Sequence, residues 1–383
     1  MRNRVVVVAL AEAVNETSDL RRLYPLLWSH GVPTELWGWG SSIFGRVGYG
    51  GSRRSLAGRL GMLAAYSCWF LSIVLRALRN RTNVLYYCVM FEAALPIAIA
   101  GLLKKTFFVF ANMDNAPLRC PWKGSVRRLV ECLERFVARK ALIHKLPTAL
   151  RWESGDVNVR FVENAPTRGV HESALRIAKE RGYQRDATLT VYANGWLSDL
   201  RGLATLVKAI GLCKRPIRVI LAGRLVCPEA ESLAGLECCE YLGVLPHEEA
   251  LAVYAKAHLV FTYYDPALAI DRLASSGKWS ECVLFKVPFV VNSEVETVGM
   301  YREAGACFST AYGDAEGLSA LLDGLSPEGA EWQRARAELS KVKAEYWDEG
   351  VISLLREAGL ELLGREPTDC PAKPIAGHKT IGA

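Results

Sequence analysis

Short β-rich runs alternate with helical patterns along almost the whole chain, and the series begins twice. In the first series the β-rich runs are residues 5–10, 34–39, 83–88, 106–111, 141–146 and 158–162, with helical patterns at 18–30, 60–78, 93–104 and 126–140. Strands separated by helices pair in parallel, because a parallel neighbour needs a crossover long enough to hold a helix, and helices then cover both sheet faces. After Glu163-Asn164-Ala165-Pro166 and a polar helix to Arg181, a second series runs through β-rich residues 188–193, 217–222, 241–243, 259–263, 289–292 and 307–309. Its helical patterns fall at 200–212, 247–257, 278–285 and 315–325.

A chain of 383 residues exceeds the size at which a single core stops growing, so each series is expected to form its own α/β domain. Pro166 and Gly169 mark the linker. The expected division is an N-terminal domain over 1–165, a C-terminal domain over 166–330, helices over 331–363 returning to the N-terminal domain, and a disordered tail over 364–383, rich in Pro, Gly and Lys. An apolar fraction of 51% excludes global disorder.

The two halves differ in charge: residues 1–151 carry 22 Lys/Arg against 8 Asp/Glu, and the remainder 25 against 32. A basic half suits anionic lipid, phosphate or nucleic acid, or serves only as a soluble surface. The eleven cysteines have no zinc spacing and no disulfide framework, and adjacent Cys238 and Cys239 pair poorly with each other, so a reducing cytosol is expected. Met1-Arg2-Asn3-Arg4 followed by four valines reads as a strand, not a signal peptide.

Residues 60–75 are apolar but short for a membrane span, with Arg53, Arg54 and Arg59 before them and Arg76, Arg79 and Arg81 after, so a buried or interface-lying helix is expected. In the helix at 126–140, Val126, Leu129, Val130, Leu133, Phe136 and Val137 recur at helical spacing while Arg127, Arg128, Arg135, Arg139 and Lys140 occupy other positions. That pattern is either a solvated face or a surface for anionic headgroups.

No G-x-G-x-x-G follows a strand and no G-x-x-x-x-G-K-[ST] is present, so another ligand logic is needed. Ala193-Asn194-Gly195-Trp196-Leu197-Ser198-Asp199-Leu200-Arg201-Gly202-Leu203 supplies it, because this stretch resembles the strand, loop and helix that open the donor domain of GT-B glycosyltransferases. Val219-Ile220-Leu221-Ala222-Gly223, Tyr241-Leu242-Gly243-Val244-Leu245-Pro246-His247-Glu248-Glu249 and Tyr254-Ala255-Lys256-Ala257-His258-Leu259 look like its successive elements. The segment from Lys278 through Glu281 to Pro288 is similar to the K-x-x-E-x-x-x-x-x-x-P segment of relatives of glycosyltransferase family 4. The resemblance covers residues 161–325 and implies an α/β fold of two Rossmann-like domains facing across a cleft.

It also implies a nucleotide-sugar donor, UDP- or GDP-linked, as substrate, with no separate cofactor. Arg201 and Lys278 would contact the diphosphate, whose departing charge cations stabilise. Glu281 would hydrogen-bond the ribose, Gly195 would let the backbone approach the phosphates, and Arg224 is a secondary donor contact. The retaining pattern places a glutamate eight residues before the ribose carboxylate; here Leu273 stands there, so Asp265 and Asp271 are candidates for the sugar and the stereochemistry is open. Asp265 precedes Pro266 and equally suits a turn.

In the N-terminal half, Asp114 follows the strand at 107–111 and is the candidate general base if the enzyme inverts. His144 and His171 show no ligand pattern, no D-x-D ends a strand, and no metal is expected. The surface character points to a lipid-linked or polysaccharide glycan acceptor, with the protein cytoplasmic and peripheral at the inner face of the cell membrane, touching anionic lipid and no nucleic acid. Two other readings stay open: a non-enzymatic basic module binding anionic membrane or nucleic acid, and a nucleotide-sugar epimerase on the same fold.

Overall fold

Both series of strands form parallel sheets in the computed structural model, which describes residues 2–10, 18–39, 56–80, 83–119, 123–152, 155–156, 158–327 and 329–362. The loop carrying Arg53 and Arg54 and the tail over 364–383 lie outside the described residues. The first sheet contains β1 (Arg4–Val8), β2 (Thr34–Trp37), β3 (Val84–Val89), β4 (Phe107–Ala111), β5 (Ile143–Leu146) and β6 (Val159–Phe161), in the order β2-β1-β3-β4-β5-β6. The second contains β7 (Leu189–Leu197), β8 (Ile217–Leu225), β9 (Cys239–Tyr241), β10 (Leu259–Phe261), β11 (Phe289–Asn292) and β12 (Cys307–Thr310), in the order β12-β11-β10-β7-β8-β9. The chain divides into two compact units, one of Met1–Ala111, Lys140–Ile143 and Leu354–Ala383, the other of Asn112–Arg139 and His144–Ser353.

In the first unit Val5 to Val8 are fully buried and β3 is buried at all six positions, the run expected of a parallel strand covered on both faces. The Asp19 carboxylate is buried with them and is held by the Tyr87 hydroxyl at 3.2 Å and by Arg22 at 3.4 Å. The helix Phe91–Leu103 contains Pro96, which has no N–H to give the carbonyl four residues earlier. The Tyr66 hydroxyl donates to that Glu92 carbonyl at 3.0 Å, so the proline is accommodated. Arg2 bridges Leu360, bringing the end of the described chain beside its beginning.

The helix Leu56–Arg79 buries Ala65, Trp69, Ser72, Ile73 and Ala77 on one face and leaves Met62, Leu63 and Leu71 exposed. Its portion Gly61–Arg79 is long and apolar enough to cross a membrane by length and composition, and a third of its window is buried within the protein.

The second unit shows period-two packing. Tyr192, Ile220, Val260, Phe289 and Val291 point into one core, while Val191, Ala193, Val219, Leu221, Phe261 and Val290 point into the other. Each face is closed by helices, and in open α/β sheets of this kind ligands sit at the carboxyl end of the strands.

Candidate functional site in the second unit

β7 and β8 run side by side through Gly195 and Gly223, which are Cα partners. Both have positive φ, 93° and 131°, and a Cβ on Gly223 would lie 1.9 Å from the Gly195 carbonyl oxygen. Only glycine allows this approach, and it opens a shelf of bare backbone at the carboxyl end of β7 and β8. A Cβ on Gly195 would lie 3.7 Å from Lys278 Nζ, so the lysine ammonium stands over the shelf.

Lys278 is positioned by the helix Gly277–Phe285, capped by Ser276, whose Oγ accepts from the Lys278 amide at 3.3 Å. Gly277 packs so tightly that a Cβ there would come 2.5 Å from the Asn164 carbonyl oxygen, and Ser280 donates to Glu163 at 3.0 Å. The Glu163-Asn164 segment thus seats this helix. Burial raises the Glu163 carboxyl above its ordinary range against the Ser280 bond, which lowers it.

One turn after Lys278, Glu281 is nearly buried. Tyr254 donates to its Oε2 at 2.5 Å, and His247 Nε2 lies 3.4 Å from Oε1. Burial alone would push this carboxyl up; the His247 and Tyr254 bonds and the charge of Lys278 outweigh it and hold it below the usual carboxylate range. Lys278, Gly195 and Glu281 are therefore gathered in one place.

Arg201 closes a 3-10 turn, Asp199–Arg201, immediately before the left-handed Gly202, where any Cβ would meet the Tyr263 ring at 2.8 Å. Its guanidinium lies 4.3 Å from the Tyr264 ring centroid and its Nη1 is 3.8 Å from Asp271 Oδ1. Nη1 is buried and has no hydrogen-bond partner among the described residues, so a donor is left to offer. Burial raises the Asp271 carboxyl, Arg201 opposes this, and the charges of Asp265 and Asp114 add to the rise. Asp265 turns part of its carboxylate to its own loop, accepting from the Ala267 amide at 2.9 Å, and its amide donates to the Leu200 carbonyl at 3.0 Å. The loops after β7 and β10 are thereby tied together.

Asp114 lies on the segment after β4, half exposed, with its Oδ1 3.0 Å from Arg151 Nη1. Arg224, the Cα partner of Trp196, is exposed with its guanidinium 6.0 Å from the indole centroid and makes no ion pair among the described residues. His247, Tyr254 and Arg151 are not among the site residues expected from the sequence. His247 and Tyr254 lie in stretches that read as ordinary helix, and Arg151 sits in a three-residue turn with no periodic signal.

Two parallel six-stranded sheets with helices on their faces, the second bearing a glycine shelf and cations at its carboxyl edge, define an α/β protein of GT-B architecture. Solved structures with this architecture superpose over nearly the whole chain. The Anabaena protein HepE in complex with UDP and glucose matches with a TM-score of 0.58 and 14% identity, over 93% of this chain and 100% of that one. Sucrose-phosphate synthase from Thermosynechococcus elongatus matches with a TM-score of 0.64 and 12% identity, over 93% and 98%. A UDP-forming α,α-trehalose-phosphate synthase from Burkholderia vietnamiensis matches with a TM-score of 0.60 and 14% identity, over 94% and 98%. No protein-family model matches the chain, and no curated protein matches it significantly in sequence.

Proposed function

We propose that this protein is a glycosyltransferase that moves a sugar from a nucleotide-sugar donor, held by the second sheet, to a glycan acceptor that is lipid-linked or part of a polysaccharide. The observation that carries the reading is the Lys278 ammonium poised over the Gly195 backbone, with Glu281 one helical turn further on. A diphosphate laid on that shelf meets Lys278 and bare backbone, and Arg201 Nη1 adds a second cationic donor. Glu281, kept ionised by its surroundings, is suited to accept from ribose hydroxyls. HepE binds UDP in its crystal structure, which makes a uridine nucleotide the first to try. Asp114 is the acceptor-side carboxylate, with Asp271 and Asp265 on the donor side of the sugar.

The exposed face of the helix Gly124–Lys140 supports a location at the inner face of the cell membrane. Val126 and Leu129 are solvent-exposed there among Arg128, Arg135, Arg139 and Lys140. A basic face with apolar residues between its cations suits anionic headgroups.

Thermal-shift measurements with UDP, GDP, ADP and CMP test the donor half of the proposal. Stabilisation by a nucleoside diphosphate that disappears in Arg201→Ala supports it, since a ligand that binds only the native state raises the melting temperature. Indifference to all four nucleotides sinks it.

A further inference from the structure

Two buried charged side chains from different elements converge on the five residues that carry Asp114. Glu134, on the helix Gly124–Lys140, is 2% exposed, and its Oε1 accepts from Asn112 Nδ2 and from the Ala116 amide, both at 3.1 Å. Both ends of the segment are thus pinned. Its middle is held by Arg151, whose Nη1 donates to the Met113 carbonyl and to Asp114 Oδ1. The Arg151 Nε donates in the opposite direction, to the Leu273 carbonyl at 2.8 Å.

We infer that Arg151 is a positioning residue of this site: its guanidinium holds the Asp114 carboxylate in fixed register with the backbone of residues 263–276, which carries Asp265 and Asp271. The inference rests on the reading of Asp114 as the acceptor-side carboxylate. The side chain is only 5% exposed, whereas Asp114 is 44% exposed, so the cation is buried and the carboxylate it holds faces solvent. A buried ion pair is weak evidence of a stabilising role, because apolar groups replacing both partners often pack there at no net cost. A planar fork is what the place requires, because three acceptors in two directions must be met at once, and a point charge cannot do this. Beyond Arg151 the signs continue to alternate: its charge acts on Asp271, and Asp271 pairs with Arg201 at 3.8 Å. Arg151 therefore sits between the candidate base and the candidate diphosphate cation, touching the base directly and the other through Asp271.

The test is a kinetic double-mutant cycle in the full chain, reading UDP release from UDP-glucose, with the UDP dissociation constant and melting temperature measured in parallel. Arg151→Met is expected to stay folded with a lowered melting temperature, because the Met113 and Leu273 carbonyls lose their donor, and to keep the UDP affinity while kcat falls by about a hundredfold, the size of loss that a misplaced reacting group brings. Arg151→Lys is expected to recover only part of kcat. In an Asp114→Asn background, Arg151→Met should cause no further loss, because nothing is left to position. Losses that multiply, or an Arg151→Met enzyme within threefold of the parent, overturn the inference while leaving Asp114 in its role. An Asp114→Asn enzyme with unchanged kcat removes the reading itself and the inference with it.

Discussion

Tyr254 Oη lies 2.5 Å from Glu281 Oε2, and this short bond holds a nearly buried carboxylate at the carboxyl edge of the second sheet. The tyrosine is fully buried against Tyr192, 5.4 Å between ring centroids, so it cannot follow the carboxylate if that group moves. Tyr254→Phe is expected to leave the fold intact and to weaken UDP binding by about tenfold, the worth of one charge-assisted hydrogen bond. Glu281→Ala should weaken UDP binding more than it weakens binding of 2′-deoxy-UDP, because only the former offers the full set of ribose hydroxyls. Calorimetric titration with the two nucleotides checks this, and equal losses for both would remove Glu281 from the ribose.

Lys278 and Arg201 are expected to act on the diphosphate and little on stability. Arg201→Ala and Lys278→Met should each abolish donor turnover and weaken UDP by roughly 1.5–3 kcal/mol, while circular dichroism stays native. Uridine, which lacks the phosphates, should bind parent and variants alike. A variant that loses uridine as readily as UDP would show that the cation supports the loop rather than the phosphates.

Gly223→Ala tests the glycine shelf by stability alone. The new Cβ would have to displace the Gly195 carbonyl from 1.9 Å, at a backbone angle that L side chains avoid. The expected cost is about 3 kcal/mol or more, read as a lowered urea midpoint or failure to accumulate as folded protein. Gly243→Ala is the control, since its added Cβ has nothing within 4 Å and only its φ of 73° opposes it.

Acid should destabilise the second unit through His258. Its Nδ1 accepts from the Thr190 amide at 3.1 Å, and burial together with the charge of Arg185 lowers its pKa to about 4. Above the unfolded value of about 6.5 both states are neutral and the residue adds no pH dependence. As pH falls below that value the unfolded chain takes up a proton that the folded chain refuses, so stability is lost down to about pH 4 and levels off below it. The loss is of the order of 3 kcal/mol at about 1.4 kcal/mol per unit. Urea midpoints between pH 7.5 and 4.5 should fall, and His258→Gln should flatten the slope.

Membrane contact is tested on the helix Gly124–Lys140. Replacing Arg128, Arg135 and Arg139 by Glu is expected to abolish flotation with vesicles containing phosphatidylglycerol, at about 1 kcal/mol for each cation removed. UDP affinity should not change. Flotation that persists, or that was never sensitive to anionic lipid, would leave this face as a solvated surface.

The amino-acid sequence by itself determined the architecture. Alternating β-rich and helical runs can close only as parallel sheets covered on both faces, and the period-two burial along β7, β8 and β10 follows the same local pattern. Gly195, Arg201, Lys278 and Glu281 were singled out only because each lies within a stretch whose spacing resembles a known donor domain. The partners of these residues were not legible. His247 and Tyr254 are separated from Glu281 by 34 and 27 residues, and Arg151 is 122 residues from the Leu273 carbonyl it holds. No periodicity links positions so far apart. Only the packing of one element on another decides which side chain completes a hydrogen bond, and only the same packing decides whether a carboxylate such as Glu281 is buried and held ionised or left on a solvated helix face.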